Sequence, residues 1–124
     1  MDLIEVDRIE KACARLGNSF GERFLLGREL EYCAQQARPA VHLAARFAAK
    51  EAVAKAFGTG IGSRLGWHDV EIIRSEQGQP AVVLHGKGLE LFKLRAVQRI
   101  WVSLSHTRQH ACAMAVLEGY GPGQ

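Results

Sequence analysis

The sequence predicts an α+β domain with an antiparallel sheet. Helical spacing of apolar residues prevails up to Phe57, and hairpin-like pairs of alternating apolar segments prevail afterwards. Helices that precede strand pairs in this way are typical of α+β proteins. The 124 residues suit one domain, which we assign to residues 1–118, and the glycine-rich residues 119–124 are expected to form a disordered tail.

The first elements are short. Residues 1–6 begin like a strand, and Asp7 is a suitable N-cap for a helix over residues 8–16. After a break, helical spacing returns in a short turn around Phe20 and in a helix over residues 28–36. These segments therefore predict small helices ahead of the main one.

The clearest helix runs over Pro39–Phe57. Pro39 suits the first turn, because its missing N–H would have no helical partner there, and Gly58 suits the end. The helix is rich in alanine, which lets neighbouring backbones approach closely. We therefore expect it to be buried or to form an interface.

Two hairpins follow this helix. The first joins residues 70–72 to residues 82–84 through a glycine-containing turn, and the second joins residues 101–104 to residues 113–117 through a polar turn. Between them, residues 86–97 return to helical spacing. The hairpins supply the predicted antiparallel sheet.

Composition and charge narrow the class of partner. The net charge is +3 and the pI is about 9.0, which favours acidic partners or a polyphosphate ligand. Basic residues are scattered rather than clustered, so we expect no nucleic-acid binding.

No apolar stretch reaches the roughly 18 residues of a membrane helix, so no membrane association is expected. Three cysteines without CxxC spacing predict reduced, mostly buried thiols in a cytoplasmic protein.

Charged residues in the long helix are the first candidates for chemistry. Glu51 and Lys55 are four residues apart, as are Arg46 and Lys50, so each pair shares a helix face. Ordinary ion pairing would explain this spacing. The charges, however, interrupt an alanine-rich helix and precede a Gly-Thr-Gly-Ile-Gly loop at residues 58–62. Such a loop either caps the helix or lets backbone N–H groups approach an anion.

Two further segments carry polar groups. His106 and its hydroxyl neighbours at residues 103–107 could donate to phosphate oxygens or simply form a hairpin turn. A serine-hydrolase site is not indicated, because the chain has no GxSxG motif. Asp2 is either a solvated residue or, with Glu51, one of two carboxylates that hold Mg²⁺ beside substrate phosphates. The histidines are not spaced as in a zinc site.

These segments, in this order, resemble the phosphopantetheinyl transferase superfamily, and in particular its small holo-acyl-carrier-protein synthase branch. The resemblance spans almost the whole chain. Its motifs are the early Asp2, the run Phe-Ala-Ala-Lys-Glu-Ala-Val-Ala-Lys at residues 47–55, the loop at residues 58–62, Gly-Gln-Pro at residues 78–80, and residues 103–107.

The resemblance implies both an architecture and a reaction. The fold would be that of the superfamily, with an antiparallel sheet and a long central helix, assembled as a homotrimer with active sites between subunits. The reaction would be Mg²⁺-dependent transfer of 4'-phosphopantetheine from coenzyme A to a serine of an acyl carrier protein, with release of adenosine 3',5'-bisphosphate. This is a step of fatty acid biosynthesis.

The resemblance also implies roles for individual residues. Asp2 and Glu51 would bind Mg²⁺, and Lys55 would contact phosphate or assist removal of the serine proton; these three form the catalytic set. The carrier protein would meet Arg8, Arg15 and Arg23. Coenzyme A would be bound by Arg46, Lys55, Gly58, Thr59, Gly60, Gly78, Pro80, Ser105, His106 and Thr107.

Two other functions remain open from the sequence. The chain could be a non-catalytic module that binds phosphate or coenzyme A on the same fold. It could also be a basic nucleic-acid-binding domain, although its scattered charge argues against that function.

Overall fold

The computed structural model describes residues 1–120 and forms an α+β fold. A short 3₁₀ turn at Trp67–Asp69 precedes the first hairpin. The elements in chain order are β1 Asp2–Glu5, α1 Val6–Leu16, α2 Asn18–Glu22, α3 Gly27–Ala34, α4 Pro39–Phe57, β2 Val70–Arg74, β3 Pro80–Leu84, α5 Lys87–Leu94, β4 Val97–His106 and β5 His110–Gly119.

The strands form two antiparallel sheets rather than one. A three-stranded sheet has the order β1-β5-β4, and β2 and β3 form a separate two-stranded hairpin. The predicted α+β class and antiparallel pairing are confirmed. The strands β4 and β5 are longer than predicted, because backbone pairing continues at both ends into segments of mixed polar and apolar residues that lack a clear alternation.

The helix α4 packs against the inner face of the three-stranded sheet and has the predicted bounds. Its alanines, including Ala44, Ala48 and Ala52, are fully buried, and these small side chains allow the close approach expected from the sequence. Gly58 ends the helix with φ 80°, in the left-handed conformation that glycine adopts without steric cost.

The predicted cap of α1 is wrong. The helix begins at Val6, Glu5 is the N-cap residue and makes no side-chain capping bond, and Asp7 lies in the first turn, where it pairs with Lys11 at 3.0 Å. The reason is that β1 runs directly into α1. The Val6 N–H donates to Gln109 O at 2.8 Å, so the β4–β5 turn, rather than a side chain, accepts from the start of the helix.

Other boundaries differ by a few residues. The helix α3 begins at Gly27, and the Leu26 N–H donates to Glu29 Oε1 at 2.8 Å, which holds its start. Gly119 belongs to β5 rather than to the predicted tail, and residues 121–124 lie outside the described residues. The helix α5 is shorter than predicted.

Two further expectations concern the burial of the cysteines and the absence of a membrane-spanning helix. All three cysteines are free thiols, but only Cys33 is buried, so the expectation of mostly buried cysteines is wrong. Burial raises the pKa of the Cys33 thiol to about 11. Among residues 1–120, no helix combines the length and the apolar character needed to cross a membrane.

Candidate active site

Asp2, Glu51 and Lys55 come together where β1 meets α4. Asp2 lies opposite Ala113 in the β1–β5 pairing, on the sheet face that packs against α4. Lys55 Nζ donates to Asp2 Oδ1 at 2.7 Å and to Met1 O at 3.3 Å. The structure thus joins two predicted site residues that are 53 positions apart in sequence.

Lys55 therefore pairs with Asp2 rather than with Glu51 on its own helix. The simple i,i+4 ion pair that the spacing allowed is not formed. Burial raises the pKa of Glu51, and the nearby charge of Asp2 raises it further, while Lys55 acts in the opposite direction. Two carboxylates and one ammonium group consequently share a partly open site, and additional positive charge there would stabilise both carboxylates.

Within residues 1–120, Asp2 and Glu51 are the two acidic groups that meet at this point. Within residues 1–120 there is no group of three or more His, Cys, Asp or Glu side chains placed to hold a metal ion. A pair of carboxylates is nevertheless a typical protein contribution to Mg²⁺, which usually takes its remaining oxygen ligands from water and substrate phosphates.

A second group of residues forms what we name the cationic–aromatic cluster: Tyr32, His42, Arg46, Arg74 and His106. The Arg46 and Arg74 guanidinium carbons lie 4.1 and 5.5 Å from the Tyr32 ring centroid. The His42 ring lies 5.8 Å from that of Tyr32 and 5.4 Å from that of His106. The cluster brings together Arg46 and His106, which the resemblance assigned to coenzyme A.

Arg46 is the most buried cation of this cluster. The residue is only 2% exposed, and its Nε has no hydrogen-bond partner among residues 1–120. A buried guanidinium N–H without an acceptor is costly, so an anionic or carbonyl acceptor reaching it would be stabilised.

Sequence reasoning missed three members of the cluster. His42 could have been found, because it lies one helical turn before Arg46 and so shares its face. Tyr32 and Arg74 come from α3 and β2, and no sequence pattern indicated that these elements would meet here.

Lys50 has a different role from its neighbours in the motif. It is fully buried, and its ammonium group donates to Glu29 Oε1 at 2.7 Å, Phe24 O at 2.6 Å and Trp67 O at 3.1 Å. Burial lowers the pKa of Lys50, and the Glu29 carboxylate partly offsets this effect. Because three acceptors occupy its three protons, Lys50 holds elements together rather than binding a ligand.

The glycine-rich loop at residues 58–62 caps α4. The N–H groups of Thr59 and Gly60 both donate to Ala54 O at 3.2 Å, and that of Gly58 donates to Lys55 O at 2.9 Å. The Gly62 N–H is also engaged by a backbone carbonyl. Of the two alternatives that the sequence left open, the loop forms the helix cap: three of these N–H groups donate to the last carbonyls of α4, and that of Gly62 donates to Leu65 O.

The strand end at residues 103–107 is divided between two faces. Ser105 lies opposite Cys112 and His106 opposite Ala111, so the two side chains point to opposite sides of the sheet. Only His106 faces the cluster. The Thr107 hydroxyl accepts from the N–H groups of residues 109 and 110, which places it in the hairpin turn.

The β2–β3 turn is linked to the cluster. Arg74 Nη1 donates to Gly78 O at 2.7 Å while its guanidinium lies beside Tyr32. Pro80 begins β3 and lines a cleft of about 400 Å³ against β4. Gly78 and Pro80, both assigned to coenzyme A by the resemblance, thus lie on the side of the molecule that carries Arg74.

The predicted carrier-binding arginines divide into two groups. A groove of about 430 Å³ beside α1 is lined by Arg8 and Arg15 and by apolar residues that include Phe20 and Phe47. Arg23, at the end of α2, is not among the described residues that line this groove. The structure therefore brings two of the three arginines to one basic and apolar surface.

Comparison with known proteins identifies a family. The model of the 4'-phosphopantetheinyl transferase superfamily matches residues 1–115. The chain is 43% identical to the holo-[acyl-carrier-protein] synthase of Syntrophus aciditrophicus, over 96% of this chain and 93% of the relative. It is 42% identical to the enzyme of the same name from Chlorobaculum parvum, over 95% of each chain.

Solved structures agree with this result. The fold superposes with a TM-score of 0.83 on the Helicobacter pylori holo-[acyl-carrier-protein] synthase in complex with coenzyme A, at 32% identity and covering 94% of this chain and 96% of the other. The corresponding Neisseria meningitidis structure gives a TM-score of 0.88 at 31% identity, covering 94% of each chain.

Proposed function

Because the chain belongs to the 4'-phosphopantetheinyl transferase superfamily, in its holo-[acyl-carrier-protein] synthase branch, we propose that it transfers 4'-phosphopantetheine from coenzyme A to a carrier-protein serine with the help of Mg²⁺. The leaving group is adenosine 3',5'-bisphosphate. The observation that carries the proposal is the meeting of Asp2, Glu51 and Lys55 at the junction of β1 and α4.

The carboxylates of Asp2 and Glu51 fit Mg²⁺. Burial and, after it, the nearby charge of Asp2 raise the pKa of Glu51, and a divalent cation held by the two carboxylates would offset that cost. Oxygen donors are also the ligands that Mg²⁺ prefers. When bound, Mg²⁺ would supply positive charge to the phosphate oxygens of coenzyme A.

Lys55 is better suited to contact phosphate than to accept a proton. The hydrogen bond and charge of Asp2 raise the pKa of Lys55, so its ammonium group remains charged at neutral pH. Phosphoryl transfer is catalysed chiefly by positioning and by stabilising charge on phosphate oxygens. A fixed ammonium beside the carboxylate pair provides such stabilisation, which favours the first of the two roles that the resemblance implied.

The cationic–aromatic cluster is the candidate contact for the nucleotide end of coenzyme A. Arg46 supplies a cation whose Nε has no acceptor within residues 1–120, and His106 supplies an imidazole ring. Gly78 and Pro80 lie beside the cluster through Arg74. Gly58, Thr59 and Gly60 remain predicted contacts through groups other than their engaged N–H donors.

The groove beside α1 is the candidate carrier surface. Arg8 and Arg15 give it positive charge, and Phe20 and Phe47 give it apolar area. A surface of this kind suits an acidic protein, because complementary charge raises the association rate while apolar contact adds affinity.

We also propose a homotrimer assembled through the outer face of the three-stranded sheet. Leu3, Trp101, Met114 and Val116 share this face, and each is at least 50% exposed. Apolar side chains aligned on neighbouring strands form a patch that a subunit interface would cover. Burial of this face would bring the active sites of neighbouring subunits close to one another.

Mass spectrometry of a carrier protein incubated with this protein, coenzyme A and Mg²⁺ tests the proposal. We expect the carrier mass to increase by one phosphopantetheine and the increase to require Mg²⁺. Coenzyme A binding without any mass change would instead identify a non-catalytic binding module. Mutation of the carrier serine to alanine is the matched control and should abolish the increase.

A further inference from the structure

His42 occupies the middle of the cationic–aromatic cluster. Its ring contacts those of Tyr32 on α3 and His106 on β4, and it lies one helical turn before Arg46. Arg74 approaches the same group from β2. The elements α3, β2 and β4 therefore each bring an aromatic ring or a cation to the surroundings of His42.

The positive charge of this cluster is not balanced within the described chain. Among residues 1–120, neither Arg46 nor Arg74 forms a salt bridge with a carboxylate. Arg46 is almost completely buried, and its Nε lacks an acceptor within the same residues. A buried guanidinium that lacks both an acceptor and a counter-charge, beside a second, exposed arginine, is the arrangement expected around an anionic ligand.

The uncharged state of His42 follows from this setting. Burial lowers the pKa of His42, and the charges of His106, Arg46 and Arg74 lower it further. At neutral pH the imidazole is thus mostly neutral, because burial and the neighbouring Arg46 and Arg74 guanidinium groups disfavour its protonated form.

We propose that His42 takes up a proton from solvent when a phosphate group of coenzyme A binds at the cationic–aromatic cluster. This inference rests on the proposed function, which brings coenzyme A to Arg46 and His106. A phosphate carries up to two negative charges and would reverse the local repulsion, so the imidazolium would become the favoured form. His42 would then make the affinity for coenzyme A depend on pH.

The sign of the pH dependence follows directly. Binding would raise the pKa of His42 from its lowered value in the free protein. At any pH between the free and the bound pKa, the bound protein therefore holds more protons than the free protein. Affinity for coenzyme A should therefore increase as pH falls through that interval and level off below it. Each tenfold gain in affinity corresponds to a difference of about one pKa unit between bound and free protein.

Isothermal titration calorimetry of coenzyme A binding measures this proton directly. Titrations at pH 7 in two buffers with different ionisation enthalpies give the number of protons taken up on binding. We expect His42→Phe to take up clearly fewer protons than the wild type. The phenylalanine keeps a ring between Tyr32 and His106. The comparison is needed because a phosphate monoester also takes up protons near pH 6.

Two more variants separate charge from shape. His42→Lys supplies a cation that does not titrate near neutral pH and should bind coenzyme A with a weaker pH dependence than the wild type. His68→Gln removes a histidine outside the cluster, whose ring hydrogen-bonds Glu22 O, and should match the wild type. The ratio of wild-type to His42→Phe affinity for coenzyme A should rise about threefold to tenfold as the pH falls from 7.5 to 6.

The outcomes distinguish this inference from the proposed function. Coenzyme A binding with the same proton uptake in His42→Phe as in the wild type would overturn the inference and leave the proposed function intact. Failure of the wild type to bind coenzyme A with Mg²⁺ present would overturn both. If His42→Phe does not fold, NMR titration of the His42 ring with and without coenzyme A replaces it, and an unchanged ring titration contradicts the inference.

Discussion

Glu51 shows how burial and one neighbouring charge act on a single carboxylate of the proposed metal site. Burial and the charge of Asp2 both raise its pKa, so the ionised form is held at a cost that bound Mg²⁺ would offset. A protein does not need this arrangement for stability, since a neutral residue of the same shape would avoid the cost. The unfavourable setting of the ionised Glu51 carboxylate therefore supports the proposal that it binds a cation.

Replacement of Glu51 by glutamine should reduce transfer by about 100-fold or more, because the amide keeps the shape but loses the charge that holds Mg²⁺. The rate of carrier modification over a range of Mg²⁺ concentrations measures this effect. Glu90→Gln, at an exposed position of α5, is the matched control and should retain wild-type activity. Undiminished transfer by Glu51→Gln would exclude Glu51 as a ligand.

Reversal of one charge in the groove beside α1 should affect the carrier protein more than coenzyme A. Arg8→Glu is expected to raise the KM for the carrier and to leave coenzyme A affinity nearly unchanged, because Arg8 lines the groove. Arg23→Glu makes the same change of charge outside the groove and should have the smaller effect. An equal loss of coenzyme A affinity in Arg8→Glu would place Arg8 in the nucleotide site instead.

At the scale of elements, one buried ion pair connects three of them. Glu29 of α3 accepts from Lys50 of α4 at 2.7 Å and from the Ile72 N–H of β2 at 2.9 Å. It also accepts from the Leu26 N–H at the start of its own helix. Lys50 and Glu29 are at most 2% exposed, so neither charge could be satisfied by water. This pair fixes the orientation of α4, which carries Glu51 and Lys55.

Loss of one partner of this pair should destabilise the fold. Lys50→Met leaves the Glu29 carboxylate buried without its cation and should lower the free energy of unfolding by about 3–5 kcal/mol. Urea denaturation measures the change. Lys93→Met at an exposed position of α5 should change stability by no more than about 0.5 kcal/mol.

A double variant separates the ion pair from packing. Glu29→Gln combined with Lys50→Met removes both charges and should recover part of the loss, because no unpaired charge remains buried. If the double variant is as unstable as the sum of the single variants, the pair is not the origin of the effect.

At the scale of the whole molecule, the three-stranded sheet has two different faces. The inner face packs against α4, and the outer face exposes a row of apolar side chains. A domain of this size buries its core on one side only and gains further apolar burial by association. The proposed trimer follows from this asymmetry.

A charge on the outer face should prevent assembly. Met114→Glu places a carboxylate in the middle of the exposed apolar face and should shift the protein from trimer to monomer, because an interface would have to bury that charge. Multi-angle light scattering at micromolar concentration measures the shift. Leu94→Glu alters a still more exposed apolar residue on α5, outside the outer face of the sheet, and should leave the trimer intact. A wild-type monomer under these conditions would contradict the proposal.

The sequence by itself determined the local features of this protein. The bounds of Pro39–Phe57, the glycine that ends this helix and the charged residues within it all depend on neighbours a few positions apart. Helical periodicity and backbone preference act over that range, so they can be read from a pattern. The resemblance to the transferase family was visible for the same reason, since its motifs are local.

Only the tertiary structure decided which groups meet. Lys55 pairs with Asp2, 53 residues away, although spacing alone would have paired it with Glu51 on its own helix, and Lys50 pairs with Glu29, 21 residues away. The position of His42 in a cluster with Tyr32, Arg74 and His106, which come from three other elements, likewise depends on packing. The physical reason is that periodicity specifies the face of a helix but not the strand or helix that covers it.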